Sequence, residues 1–216
     1  MTKPSPYARA VAQPRAEKTA QRLLEAAHEL FAKGVLEEVS VAEIARRAGV
    51  SVGGFYGRFR SKADLSRAVA EAMAERLLAM VDAALEPEET AGLSAGAIIR
   101  RYAAALVAGF GGDDRDALRR VTLLARSDRD LPTSTAIRAL NARVQERLAD
   151  ALLNSPDSID HDDPRRAIAF ADLALSAAAR EALLHGGTGL RFDRRALVDE
   201  LTALGCGYLR ISPPED

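Results

Sequence analysis

At 216 residues, with 48% hydrophobic and 28% charged residues and a formal net charge of −1, the chain is long enough for one or two domains with a sizeable core. It holds no apolar run of about 18 residues, which argues against a membrane-spanning helix. Its single cysteine, Cys206, excludes an internal disulfide and fits a reducing cytoplasm. The charge is unevenly spread: residues 1–62 carry 11 Lys and Arg against 6 Asp and Glu, a balance of +5, while residues 63–216 balance to −6. A basic head on an acidic body directs a polyanion to the head alone.

Residues 1–15 contain three prolines and few large apolar groups, and are expected to form a flexible arm. They have no apolar segment of the signal-peptide kind. Arg9 and Arg15 suit such an arm to a DNA minor groove; an idle tail is the alternative reading. A first helix is predicted over 16–33, with Leu23, Leu24, Ala27, Leu30 and Phe31 on its buried stripe and Gly34 closing it. Val41, Ile44, Ala45 and Ala48 then recur at helical spacing over 41–48. Ser40 before this helix and Glu43 three residues later form a capping box, each side chain serving a free backbone N–H. Gly49 ends the helix, and Ser51 caps a second short helix over 51–57 that carries Phe55 inward. Helix, tight glycine turn, helix is the signature of a helix-turn-helix DNA reader.

Read from Ser40 to Leu65, the pattern S-V-x-x-I-A-x-x-A-G-V-S-x-G-x-x-Y-x-x-F-x-x-K-x-x-L resembles the DNA-binding domain of TetR-type (TetR/AcrR) transcriptional regulators. The resemblance implies that the backbone at Val41 and the positions Ser51, Val52, Gly53, Tyr56, Gly57, Arg58 and Lys62 meet DNA. Tyr56 offers a hydroxyl to a phosphate oxygen. Lys62, in the first turn of the next helix, adds an ammonium beside the free N–H groups of that helix end. Gly53 and Gly54 stand side by side, and Gly57 occupies a place where the family often has an aromatic residue or histidine. Few side chains remain to read base edges. Val52 suits a thymine methyl and Ser51 either strand. Specificity is therefore expected to lean on Arg46, Arg47, Arg58 and DNA shape. The DNA-binding domain is expected to span residues 16–62.

Beyond Lys62 the chain reads as helix throughout. A long helix over 61–85 carries an apolar seam of Leu65, Val69, Met73, Leu77 and Met80 and joins the three-helix head to a helical domain over 63–216. Glu86–Gly92 reads as a polar linker. Five further helices are predicted over 93–110, 113–126, 132–153, 164–186 and 193–212, without strands. The expected fold class is all-α, with about nine helices. The eighth and ninth helices, 164–186 and 193–212, are the expected homodimer surface. Their Ala- and Ser-rich stretch AIAFADLALSAAAREALL is apolar on more than one side and needs cover on two faces, from the body and a twin chain or from the monomer alone.

By the same resemblance, the second domain would enclose a small molecule and move the fourth helix. Candidate lining residues are Tyr102, Leu106, Phe110, Leu123, Leu124, Arg126, Val144 and Phe170, each of which reads equally as ordinary core. The sequence has no HExxH, Cys/His cluster, P-loop or nucleophile elbow, so no enzyme, metal or cofactor is expected. His161 and His185 read as surface residues. The functional expectation is a cytoplasmic bacterial regulator, nucleoid-associated when bound to DNA. It would be a homodimeric repressor released from a palindromic double-stranded DNA operator by an unidentified small-molecule effector. The alternative is an architectural or activator protein without an inducer, against which the acidic body speaks.

Overall fold

The computed structural model describes residues 14–127, 132–186 and 192–214. Regular structure among them is helical, as expected: α1 (Pro14–Lys33), α2 (Val41–Arg47), α3 (Val52–Tyr56), α4 (Lys62–Ala84), α5 (Pro87–Thr90), α6 (Ala95–Phe110), α7 (Arg115–Ser127), α8 (Pro132–Leu153), α9 (Pro164–Arg180) and α10 (Arg194–Leu209), with a π-helical turn over Glu181–His185 after α9. Residues 1–13 of the expected arm lie outside the described residues, and Pro14 and Arg15 already belong to α1.

The chain divides into two compact units. The first comprises residues up to Ala74 and Asp116–Ile137; the second comprises Glu75–Arg115 and Arg138–Asp216. The functional division read from the sequence, 16–62 and 63–216, is different. Residues 116–127, on α7, pack with the first unit through non-local contacts that periodicity does not carry.

In the first unit, α1 buries Leu23, Ala27, Leu30 and Phe31, spaced at four and three residues so that they share one face. Leu24 is only half-buried. The core continues through Ile44 and Ala45 of α2, Phe55 of α3, Phe59, and Leu65 and Val69 of α4. Ala117, Leu118 and Val121 supply the apolar side of α7. Phe55 and Phe59 stack in a tilted pair, ring centroids 6.0 Å apart.

The second unit is organised on α6, α9 and α10, which pack pairwise. Ile98, Ile99, Tyr102, Ala103 and Leu106 of α6 meet Ile168, Ala171 and Leu175 of α9 and Leu201, Cys206 and Leu209 of α10 in a buried core. Gly205 permits the close approach: a Cβ there would stand 2.8 Å from Ile99 Cγ2 and 3.2 Å from Leu175 Cδ1. The seam expected along the long helix breaks within α4. Met80 is exposed, and burial passes instead to Leu78, Val81 and Leu85. A step of three after Leu77 predicts the wrong side here, because a straight helix drifts off any fixed repeat.

The stretch Glu86–Gly92 is not an open linker. It contains the single turn α5, in which Thr90 is buried and donates its hydroxyl to the Glu86 carbonyl at 3.2 Å. Arg101 of α6 grips it from the side, donating to the Ala84 carbonyl at 2.8 Å and to the Glu89 carboxylate.

Candidate nucleic-acid interface

Local chemistry fixes the α2–turn–α3 element before tertiary packing does. Ser40 stands in extended conformation ahead of α2, and its Oγ accepts from Glu43 N at 3.2 Å. Ser51 does the same for α3, accepting from Gly54 N at 3.0 Å. Between the helices, Gly49 adopts φ 65°. Its N–H donates to the Arg46 carbonyl at 3.1 Å, and the N–H of Val50 donates to the Ala45 carbonyl at 2.9 Å. These two bonds form a Schellman motif, which needs a left-handed residue at Gly49. Ser61 caps α4 through Asp64 N at 3.1 Å, a cap that the periodicity did not announce.

The outward face of α3 consists of few groups. Val52 is 43% and Tyr56 48% exposed; Ser51, Gly53 and Gly57 are exposed, and Gly54 and Val41 half-buried. The Tyr56 ring stands edge-on to Phe55, centroids 5.2 Å apart, which holds the phenol outward. A Cβ at Gly53 would meet nothing nearer than Ser51 Oγ at 3.8 Å. The fold itself does not require glycine there.

Four cationic candidates are engaged within the chain. Glu43 does not return to Ser40 to complete the capping box. Its carboxylate accepts from Arg46 Nε and Nη2, both at 2.7 Å, and from Arg47 Nε at 2.8 Å. The arginines at i+3 and i+4 outcompete a neutral N–H because a charged, bidentate hydrogen bond is the stronger one. They hold the Glu43 carboxyl down at about 2, the Arg46 hydrogen bond contributing most. Both arginines still face solvent. Lys62 donates to the carbonyls of Glu37 and Val39, the latter at 3.1 Å. It braces the turn before α2 against the start of α4 and leaves one of its three ammonium N–H groups over. Arg58, half-buried, turns its Nη1 to the Gly57 carbonyl at 3.2 Å.

A cation missed in the sequence sits beside them. Arg60 is exposed and donates from Nε to Asp64 at 2.9 Å, while Arg67 reaches the other Asp64 oxygen at 3.3 Å. The i, i+4 spacing of Arg60 and Asp64 was the available signal.

The candidates for a ligand lining do not come together as one set. Tyr102, Leu106 and Phe110 share a buried face of α6, and Val144 is buried on α8 in the same unit. Leu123 is exposed on α7 of the first unit. Phe170 is 53% exposed, because Ala167, Ile168 and Ala171 take the core side of α9. The side chains of Leu124 and Arg126 lie outside the described residues. His161 is held rather than free: Nε2 donates to the Tyr208 carbonyl at 2.7 Å. Among the described residues, no group of three His, Cys, Asp or Glu is placed to hold a metal, and no helix is long and apolar enough to cross a membrane.

Comparison with known proteins places this geometry. Residues 23–69 match the family model of bacterial regulatory proteins, tetR family. No curated protein matches the chain. Among solved structures, a protein from Mesorhizobium loti assigned to the TetR family of transcriptional regulators aligns with TM-score 0.72 at 20% identity, over 92% of this chain and 98% of that one. A tetR-family regulatory protein from Rhodococcus RHA1 aligns with TM-score 0.64 at 23% identity, over 92% and 98%. FadR from Bacillus subtilis, solved in complex with stearoyl-CoA, aligns with TM-score 0.61 at 17% identity, over 87% and 98%. Residues 23–69 thus match the tetR family of bacterial regulatory proteins, and the chain shares the all-helical fold of these solved structures.

Proposed function

We propose that the protein is a homodimeric transcriptional repressor that binds a palindromic operator through α2 and α3 and is released by a small molecule bound in its second unit. The observation that carries DNA binding is the outward face of α3. It presents Val52, Tyr56 and bare backbone at Gly53 and Gly57, flanked by Arg46, Arg47, Arg58 and Lys62. An apolar contact, a phenol and close backbone approach suit a major groove, and the cations suit its phosphates. Tyr56 and the free N–H of Lys62 position the head. Val52 and Ser51 touch bases, and sequence-dependent DNA shape supplies the rest of the specificity.

Support for an effector in the second unit comes from the fold shared with Bacillus subtilis FadR, solved with stearoyl-CoA. The residues proposed to meet it are Tyr102, Leu106 and Phe110 of α6 and Val144 of α8. The dimer surface is proposed on α9 and α10. Phe170, Leu173, Leu204 and Tyr208 form an exposed apolar stripe there, and the Phe170 and Tyr208 rings lie 5.2 Å apart. Such contiguous exposed apolar area marks an interface. The setting is a bacterial cytoplasm.

The deciding experiment is fluorescence anisotropy of the full chain with DNA from upstream of its own gene and with scrambled DNA, across a salt series. Selective binding that weakens steeply with salt is expected. Equal weak binding to both DNAs, with a shallow salt slope, would remove the operator reading.

A further inference from the structure

A second candidate ligand site lies wholly inside the first unit. A cleft of about 240 Å³ opens between the end of α1, the turn that follows it, α4 and α7. Its walls are Phe31, Leu36 and Leu123, and two opposite charges, Arg120 and Glu37, line it. Arg120 is seated deliberately. Its Nε donates to the Ala32 carbonyl at 3.2 Å, and its guanidinium lies over Gly34, where a Cβ would overlap it. Gly34 also holds φ 74°, a left-handed conformation that favours glycine. The two Nη groups of Arg120 have no hydrogen-bond partner among the described residues. One Glu37 oxygen accepts the Ser66 hydroxyl at 2.8 Å; the other is open, and the two charges do not pair with each other.

A cleft with apolar walls, an unpaired guanidinium and a half-free carboxylate complements a molecule that carries both charges and an apolar group. We infer that this cleft binds a small zwitterion with an apolar side chain, of the class of a free branched-chain or aromatic α-amino acid. The ligand carboxylate takes the two Nη groups of Arg120, a bidentate arrangement to which guanidinium is shaped. The ammonium donates to Glu37, and the side chain lies against Phe31, Leu36 and Leu123. Size agrees: an apolar cavity of about 150 Å³ holds a benzene ring, and the remaining volume suits the charged end. A monocarboxylate alone would meet the Glu37 charge, and an amine alone would meet Arg120. The site is separate from the effector proposed for the second unit, and its binding test needs no DNA.

The test is an amide-resolved NMR titration of the full chain with L-leucine and L-phenylalanine, into the millimolar range. Saturable shifts confined to residues 31–37, 66 and 120–123 are expected. Arg120→Gln and Glu37→Gln should each weaken binding about tenfold or more, the scale of a lost charge-assisted hydrogen bond. On the unaltered chain, leucinamide and N-acetylleucine, each lacking one charge, should show the same loss. Leu123→Trp, at an exposed position, should close the cleft and abolish the shifts with the fold intact, and it carries the test if Arg120→Gln fails to fold. Absence of saturable shifts, shifts centred elsewhere, or unchanged affinity in Glu37→Gln and Leu123→Trp would overturn the inference.

Discussion

In the proposed DNA complex, Glu43 decides how strongly two of the head's arginines are available to the duplex. Its carboxyl is held at about 2, against an ordinary 4.5, by hydrogen bonds from Arg46 and then Arg47. A depressed carboxyl stabilises the folded state fully above its unfolded pKa and loses that contribution as pH falls through the folded one. The pairing is therefore intact above about pH 4.5 and lost toward pH 2, so no titration near neutrality frees the arginines. Substitution does. Glu43→Gln should raise affinity for scrambled DNA and steepen the salt slope by about 0.9 for each phosphate newly contacted. An unchanged slope would mean that Arg46 and Arg47 do not reach the duplex. A converse substitution acts at Gly53, where the fold has room for a methyl group. Gly53→Ala should stabilise the protein by about 0.4–1 kcal/mol and raise its Tm, while weakening operator binding because the backbone no longer lies against the groove. A gain in stability without loss of affinity would remove the close-approach argument. Residue roles at this scale were partly legible. The Ser40 and Ser51 caps and the Gly49 turn are local and follow from three or four neighbours. The second half of the capping box did not form, since two arginines compete for Glu43. The Lys62 contacts with the Glu37 and Val39 carbonyls span more than twenty residues of sequence, where spacing carries no signal.

Among the elements, α6, α8 and α9 are tied by one buried polar cluster. The Tyr102 hydroxyl donates to Asp172 and lies 3.0 Å from Ser176 Oγ, and Gln145 Nε2 donates to the other Asp172 oxygen at 2.8 Å. Burial, then the charge of Asp172, push the Tyr102 phenol well above its ordinary 10.0. A raised acid is a stabilising group below its unfolded pKa, and that contribution falls away as pH climbs above 10.0 toward the folded value. Tyr102→Phe should cost about 1–2 kcal/mol at neutral pH, because Asp172 loses a donor while buried. It should also flatten the alkaline limb of stability. Urea melts at neutral and alkaline pH measure both effects, and an alkaline limb identical to that of the unaltered chain would refute the assignment. Helix positions were legible at this scale to within a turn, because Pro132, Pro164 and the glycines punctuate long apolar periodicities. The cluster was not. Tyr102 and Phe110 read as possible lining from type alone, and a one-dimensional pattern does not bring Asp172 or Gln145 beside them. Arg101, which braces α5 through Ala84 and Glu89, belongs to the same non-local class.

For the whole molecule, the proposed dimer rests on the outward stripe of α9 and α10. The sequence suggested this surface from an Ala-rich helix with more than one apolar side. It could not rank those sides, and Phe170 was set among the lining residues although it faces solvent. Once the α6 core takes Ile168, Ala171 and Leu175, the remaining apolar side is Phe170 and Leu173, and Leu204 and Tyr208 extend it on α10. Leu173 is the most exposed of the four, at 58%, so a charge there leaves the single chain's core untouched, and surface changes of this kind shift folding stability by only about 0.5 kcal/mol. Across a two-fold interface the substitution is felt twice, since each copy presents the same patch to the other. Leu173→Asp should therefore sediment as a monomer with an unaltered helical circular dichroism spectrum. It should bind a single half-site as the unaltered chain does, and lose affinity for DNA carrying two half-sites about 34 Å apart or a multiple of that. A variant that still sediments as a dimer would move the interface off this stripe. One that is monomeric yet binds the paired half-sites with full affinity would show that the palindrome is not read by two heads at once.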